Sequence, residues 1–219
     1  MTSVDRALLA SGGADSLPQC DLVLLCVPDA AIEEVSLAVP VDSSRVVAHC
    51  AGSVGLEVLS RHPARASVHP LVSLPDPEVG AGRLRGAWFA VSGDPLAAEL
   101  VEALGGRFVE VDDGRRAAYH AAAVVASNHL VALMGQVERI AASAGVPLEA
   151  FIDLAQGSLD NAASLGPAAA LTGPVSRGDW STVRSHLAAI DESERDAYVA
   201  LVTAAARLAG RDVPDLGRR

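Results

Sequence analysis

Residues 21–28 read Asp21-Leu22-Val23-Leu24-Leu25-Cys26-Val27-Pro28. An apolar run this short, opened by Asp and stopped by Pro, is too brief for a helix. It predicts a buried parallel strand over 21–27 that ends at a ligand-facing turn. Asp29 then caps a helix reaching about Val39. Further short apolar runs predict strands at Arg45–His49, Ser67–Leu71, Ala87–Ser92 and Arg107–Val111. Helices are expected at Val54–Arg61 and at Asp94–Leu104, where Asp-Pro gives a cap followed by a first-turn proline. Pro75–Arg85 reads as a Pro- and Gly-rich loop, and residues 4–10 are helix-like. Strands alternating with helices imply an α/β half with a parallel sheet covered on both faces.

The pattern changes at Asp112–Gly114, after which no strand-like run occurs. One long Ala/Val-rich helix is expected from Arg115 to about Ser143, then Pro147–Gly157, Trp180–Ile190 and Glu192–Leu208, with a polar tail from Arg211 to Arg219. The chain therefore divides into an α/β half, 1–112, and an all-helical half, 113–219.

Composition narrows the function. The net charge of −10 disfavours nucleic acid, which is bound by clustered cations. All seventeen basic residues are arginine, so no lysine Schiff base, P-loop lysine or lysine general acid is available. Apolar runs fall short of the roughly 20 residues of a membrane span, and no leader-like segment opens the chain. A cytoplasmic protein with no membrane partner is expected. Three cysteines, Cys20, Cys26 and Cys50, form no C-x-x-C pair and read as reduced, mostly buried thiols; no metal site is expected.

Three groups of residues could carry chemistry. Val27-Pro28-Asp29, Ala51-Gly52-Ser53 and His69-Pro70-Leu71 each fall at a predicted strand end, so all three belong on one rim, where open parallel sheets bind ligands. His69 either presents its imidazole to a substrate or bonds its own loop. On the long helix, His120, Val124, Ser127 and Asn128 are spaced to share one buried face. There Ser127 and Asn128 either hydrogen-bond a substrate, in a cleft between the halves, or join two helices. Gly80-Ala81-Gly82-Arg83-Leu84-Arg85-Gly86 imitates a nucleotide fingerprint but is followed by a strand instead of a helix, and it is rejected.

Four segments together resemble one family: His69-Pro70-Leu71-Val72-Ser73-Leu74-Pro75-Asp76-Pro77, Gly86-Ala87-Trp88-Phe89-Ala90-Val91, Tyr119-His120 through Ser127-Asn128, and Leu165-Gly166-Pro167 through Gly173-Pro174. They are similar to Rossmann-like oxidoreductases with a C-terminal domain of unknown function, over about residues 15–210. The architecture of that group is similar to ketopantoate reductase, pyrroline-5-carboxylate reductase and 6-phosphogluconate dehydrogenase. The resemblance implies an NADP or NAD site on the first half, with Val27, Pro28, Gly52 and Ser53 as cofactor-contacting positions. It also implies a helical, 6-phosphogluconate dehydrogenase-like half for substrate binding and homodimerisation. Relative to ketopantoate reductase, Asn128 matches an asparagine, Val124 replaces a second asparagine, and His120 stands where a catalytic lysine is found.

The resemblance implies reduction of a small carbonyl or 2-oxo acid, with His120 or His69 as the proton-handling group and Asn128 and Ser127 orienting the small-molecule substrate. The alternative is a degenerate, non-catalytic dehydrogenase-like protein serving as a dimeric binding or scaffold unit. The twenty residues before the first strand hold no strand followed by G-x-G-x-x-G, so the sheet is expected to lack its first strand or strands. Either about thirty residues precede Met1, the length of the missing unit, or the phosphate site is lost. The 219-residue chain is accordingly expected to bind NADPH or NADH worse than millimolar.

Overall fold

The computed structural model describes residues 17–74 and 76–217. The helix expected over residues 4–10 lies outside them. Among the described residues five strands form one sheet in the order β1 (Leu22–Leu25), β2 (Val46–His49), β3 (Arg65–Pro70), β4 (Trp88–Gly93) and β5 (Arg107–Glu110). β1, β2 and β3 are mutually parallel, as are β4 and β5, but β3 and β4 run antiparallel. The expected all-parallel sheet is thus corrected to a mostly parallel one. The reversal comes where the chain between β3 and β4 folds as a helix, α2, instead of the expected loop.

Both faces are covered. Side chains alternate along each strand. Leu25, Val47 and Ala51 pack on one face with Ile32, Val35 and Val39 of the helix α1 (Ile32–Ala38) and with Leu59. Val46, Ala48, Ala66, Val68, Phe89 and Val91 pack on the other with Ala97 and Val101 of α3 (Leu96–Ala103). The expected helix at 54–61 is only a 3-10 turn, Leu56–Leu59. The loop expected at 75–85 contains α2 (Pro77–Leu84), whose first turn is capped by Asp76 accepting from the backbone N–H groups of Glu78 and Val79. The cap outweighs the glycines that suggested a loop. The imitation fingerprint therefore lies in a helix that leads into a strand.

The long helix is not uniform. It runs as α4 (Asp113–Val124), a π turn (Val125–His129) and α5 (Leu130–Ser143). The Ser127 hydroxyl within that turn donates to the Ala123 carbonyl, 2.7 Å away. By its internal contacts the chain forms two compact units, Met1–Asn128 and His129–Arg219, so α4 counts with the sheet.

The second unit is all helical. It comprises α5, α6 (Glu149–Leu165), the single turns α7 (Pro167–Ala170) and α8 (Pro174–Arg177), α9 (Trp180–Ala189) and α10 (Glu192–Leu208). Its core joins Val175, Val183, Val199, Val202, Ala206 and Leu216. Glu194 ties α10 to α5 by pairing with Arg139 and by accepting from Gln136 at its carbonyl. α6 runs on to Leu165, well past the expected end near Gly157, because Gly157 sits within the helix with open space around it. None of its residues is buried, and Ile152, Leu154, Leu159 and Leu165 are exposed.

The segment Asp113–Ser143 is long and apolar enough to cross a membrane by length and composition, and its most apolar stretch is not buried. This corrects the expectation that no such segment exists. Its amino end, however, is fastened into the sheet.

Candidate active site

β1, β2 and β3 share a direction, so their carboxyl ends lie on one edge, and Val27-Pro28, Ala51-Gly52-Ser53 and His69-Pro70 gather there. Ser53 Oγ donates to Asp29 Oδ2 at 3.0 Å and joins two of these turns. His49, the last residue of β2, shapes the middle one. Fully buried, it accepts from the Ala51 backbone N–H at Nδ1 (3.2 Å), which leaves Nε2–H to donate to the Gly55 carbonyl (3.3 Å). This single tautomer satisfies both ends of the loop around Gly52.

The amino end of α4 docks on this edge through Arg116, 2% exposed. One guanidinium nitrogen, Nη2, donates to Ser67 Oγ (2.6 Å) and Ser92 Oγ (2.7 Å), which face each other across β3 and β4. Nη1 reaches the Ala51 carbonyl at 3.4 Å, and Nε pairs with Asp113 at 3.3 Å. Asp113 in turn accepts from the Leu56 backbone N–H at 2.7 Å. Two charged groups on adjacent turns of one helix thereby bind two strands and two loops.

With that end fixed, the next turn of α4 brings Tyr119 and His120 to His69. The Tyr119 hydroxyl lies 2.6 Å from His69 Nδ1. The His69 and His120 rings meet edge to face with centroids 6.2 Å apart. Gly52 lies against both rings: a Cβ there would come within 2.7 Å of His120 Cδ2 and of His69 Nε2. The absence of a side chain at Gly52 is what lets two imidazoles converge on this turn. His69 and His120 thus share one cluster.

Electrostatics keep part of the cluster neutral. Burial, then the neighbouring His120 and Arg116, pushes the His69 pKa below the usual histidine value. Burial chiefly lowers that of His49 too, with Arg116 adding to the effect. Burial raises the Tyr119 phenol. A neutral phenol donating to Nδ1 of a neutral imidazole leaves His69 with Nε2–H on the Gly52 side, the assignment these protonation states favour.

Ser127 and Asn128 lie elsewhere. They sit in the π turn, exposed, with Ser127 Oγ also 3.0 Å from Asn128 Oδ1. The π turn breaks the i, i+4 spacing that placed them on one buried face with His120, so the expected burial is corrected. Val124, at the end of α4, is half-buried. Periodicity also overlooked Arg116, Asp113, His49 and Tyr119 as members of the cluster. Nothing in the sequence pattern sets Arg116 apart from Arg115 beside it. Among the described residues no cluster of side chains has the makings of a metal site.

The family is visible in the sequence itself. The model of a family described as a domain of unknown function, DUF2520, matches residues 89–205. The chain belongs to this family. It is 30% identical to the Thermotoga maritima protein TM1727, with a TM-score of 0.74, covering 86% of this chain and 77% of that one. A reductive aminase from Aspergillus terreus, solved with NADPH and ethyl levulinate, is 18% identical with a TM-score of 0.60, covering 90% and 78%. The 1-pyrroline-5-carboxylate reductase of Streptococcus pyogenes is 14% identical with a TM-score of 0.58, covering 89% and 79%. These two share the fold: a Rossmann-like sheet followed by a helical domain. No curated protein sequence matches the chain.

Two outcomes follow from this geometry. Arg116→Met keeps the length of the side chain but leaves Ser67, Ser92 and the Ala51 carbonyl without their charged donor. Urea denaturation should show a loss of about 2–5 kcal/mol, the range for removing one partner of a buried charged network. A change under about 0.5 kcal/mol would mean the network is dispensable. Second, His49 and His69 have folded-state pKa values below their unfolded ones. The unfolded chain therefore binds protons first as pH falls. Their stabilisation is complete above the unfolded value of roughly 6.5 and is lost as pH drops below it. Urea midpoints at about pH 7 and about pH 5.5 should differ, and His49→Asn, whose amide can replace the Nδ1 acceptor, should shrink that difference. An unchanged difference in the variant would remove His49 from the account.

Proposed function

We propose that the protein is an NAD(P)-dependent reductase of a small carbonyl compound or 2-oxo acid, ketopantoate-like in its chemistry. One observation carries this reading: two histidines, one of them held neutral and oriented by a tyrosine, converge over a glycine turn on the rim where open α/β sheets bind ligands. The rim suits a dinucleotide. Gly52 offers backbone without a side chain, and Val27, Pro28 and Ser53 complete a surface able to hold the nicotinamide end. Bound there, the reduced cofactor would supply hydride.

The chain's own groups handle the oxygen and the proton. His69 Nε2–H polarises the carbonyl oxygen, with the Tyr119 hydroxyl fixing the tautomer. His120 supplies the proton that the reduced oxygen needs. Ser127 and Asn128, unencumbered by neighbouring elements, are proposed to hydrogen-bond the polar end of the substrate. The net charge of −10 supports a small-molecule partner over nucleic acid. The fastening of Asp113–Ser143 through Arg116 supports a cytoplasmic protein with an apolar packing surface over a membrane span.

Because weak cofactor binding is expected of this chain, turnover should be followed as loss of reduced-nicotinamide absorbance with NADPH or NADH raised into the millimolar range and a panel of 2-oxo acids and ketones. His120→Ala should lower kcat by about 10²–10⁴-fold with a small effect on KM, because proton donation acts mainly in the transition state. Asn128→Ala should raise KM as well, since an orienting bond exists in both ground and transition states. Full turnover in His120→Ala with none in His69→Ala would exchange their roles. Turnover unaffected by either substitution would make both histidines structural. No turnover of any compound would favour the non-catalytic, dimeric binding protein.

The reading includes a homodimer. α6 presents Ile152, Leu154, Leu159 and Leu165 to solvent, and the same unit carries an apolar groove of about 560 Å³ lined in part by Leu133, Val137, Ile140, Leu201 and Ala205. Surfaces of this extent are normally covered, and a second copy supplies matching apolar faces. Light scattering at micromolar concentration should give twice the chain mass; a monomer would overturn the assignment.

A further inference from the structure

The parallel register of β1 and β2 pairs Leu25 with His49. The next residue on each strand is a cysteine, so Cys26 and Cys50 emerge side by side at the carboxyl edge. Their sulfurs lie 3.9 Å apart. Cys26 is exposed, and Cys50 is half-buried beside it. Cys20 precedes β1 at the opposite end of the strand, where its carbonyl accepts from Arg45. Neighbouring strands hold backbones at the spacing a disulfide spans, and the sulfurs need to close by only about 2 Å to reach bonding distance.

We propose that Cys26 and Cys50 are a reversible dithiol that closes to an intramolecular disulfide on reaction with a low-molecular-weight disulfide. The exposed Cys26 thiolate attacks one sulfur of the reagent RSSR. One RS⁻ leaves and takes a proton, and Cys26 carries the mixed disulfide. Cys50 gives up its proton, its thiolate attacks the Cys26 sulfur, and the second RS⁻ leaves with that proton. The balance is protein dithiol plus RSSR to protein disulfide plus two RSH, so the cysteines are oxidised and the reagent reduced. A small dithiol reverses it.

The roles differ for a physical reason. Cys26 is the exposed member of the pair, and a hydrogen bond from the Cys50 thiol lowers its pKa to about 6 against the opposing effect of burial, so Cys26 is the thiolate. The same contact, then burial, pushes Cys50 up, so Cys50 waits as the resolving thiol. In a reducing compartment such a pair serves as a sensor rather than a permanent staple.

The bridge would tie the Val27-Pro28 turn to the Ala51-Gly52 turn, whose Gly52 lies against the two imidazoles. Loss of turnover on oxidation rests on the reductase reading; formation of the bond does not.

The full chain, incubated natively with glutathione disulfide, should lose two of its three free thiols. Its intact mass should fall by two hydrogen atoms, with Cys26 and Cys50 found in one linked peptide and dithiothreitol restoring all three thiols. Cys20→Ser should behave the same way. Cys50→Ser should retain one glutathione on Cys26, and Cys50→Ala repeats that test if the serine variant does not fold. A stable glutathione adduct on Cys26 in the unsubstituted chain, or cross-linking between chains, would overturn the proposal. If the active chain is oxidised and keeps its turnover, the link to the site falls. If the chain never turns over a substrate, the reductase reading fails while the mass result still decides the dithiol.

Discussion

The arrangement depends on the buried guanidinium of Arg116. A cation 2% exposed is tolerated only when every donor finds an acceptor, and here the acceptors come from β3, β4 and the turn after β2. The planar fork reaches several oxygens at fixed angles, which a lysine ammonium on a flexible stem does not reproduce. α4 is thereby locked in rotation as well as position. Since Tyr119 and His120 follow Arg116 by three and four residues, they lie on the same side of the helix and are delivered to His69. Asp113 extends the lock to the 3-10 turn at Leu56.

The same cation contributes to the character of the site. Burial chiefly, with His120 beside His69 and the Arg116 charge adding to it, makes protonation of His49 and His69 unfavourable. A neutral His49 can accept from one backbone group and donate to another, which is the geometry the Gly52 turn uses. A neutral His69 can do likewise between Tyr119 and a ligand. Structural anchoring and the tuning of two imidazoles are thus one electrostatic arrangement.

The helical unit shows a different physics. α6 has no buried residue, and its Ile152, Leu154, Leu159 and Leu165 are exposed. Helices of this length and composition gain most of their stability from packing an apolar face. Their exposure in the single chain is the feature that a second subunit would resolve. The Cys26–Cys50 contact has a related lesson: two residues separated by 24 positions become neighbours only because the strands that end at them are parallel and in register.

Local sequence determined the alternation of elements. The apolar runs at 21–27, 45–49, 67–71, 87–92 and 107–111 are too short for helices, and all five contribute strands to the sheet, though the last is largely exposed. The strand-end turns at Pro28, Gly52 and His69 followed from the same reading, because strand direction fixes which ends share an edge. Tertiary structure decided the rest. The antiparallel β3–β4 pair depends on how α2 returns the chain, and the helix-forming cap at Asp76 competes locally with glycines whose cost periodicity cannot weigh. The π turn adds a residue per turn where the Ser127 hydroxyl engages the Ala123 carbonyl, so an i, i+4 count begun at His120 loses its phase before Asn128. Arg116 reads as a surface charge in sequence, because burial of a cation depends on acceptors 24, 49 and 65 residues away that only the folded chain assembles.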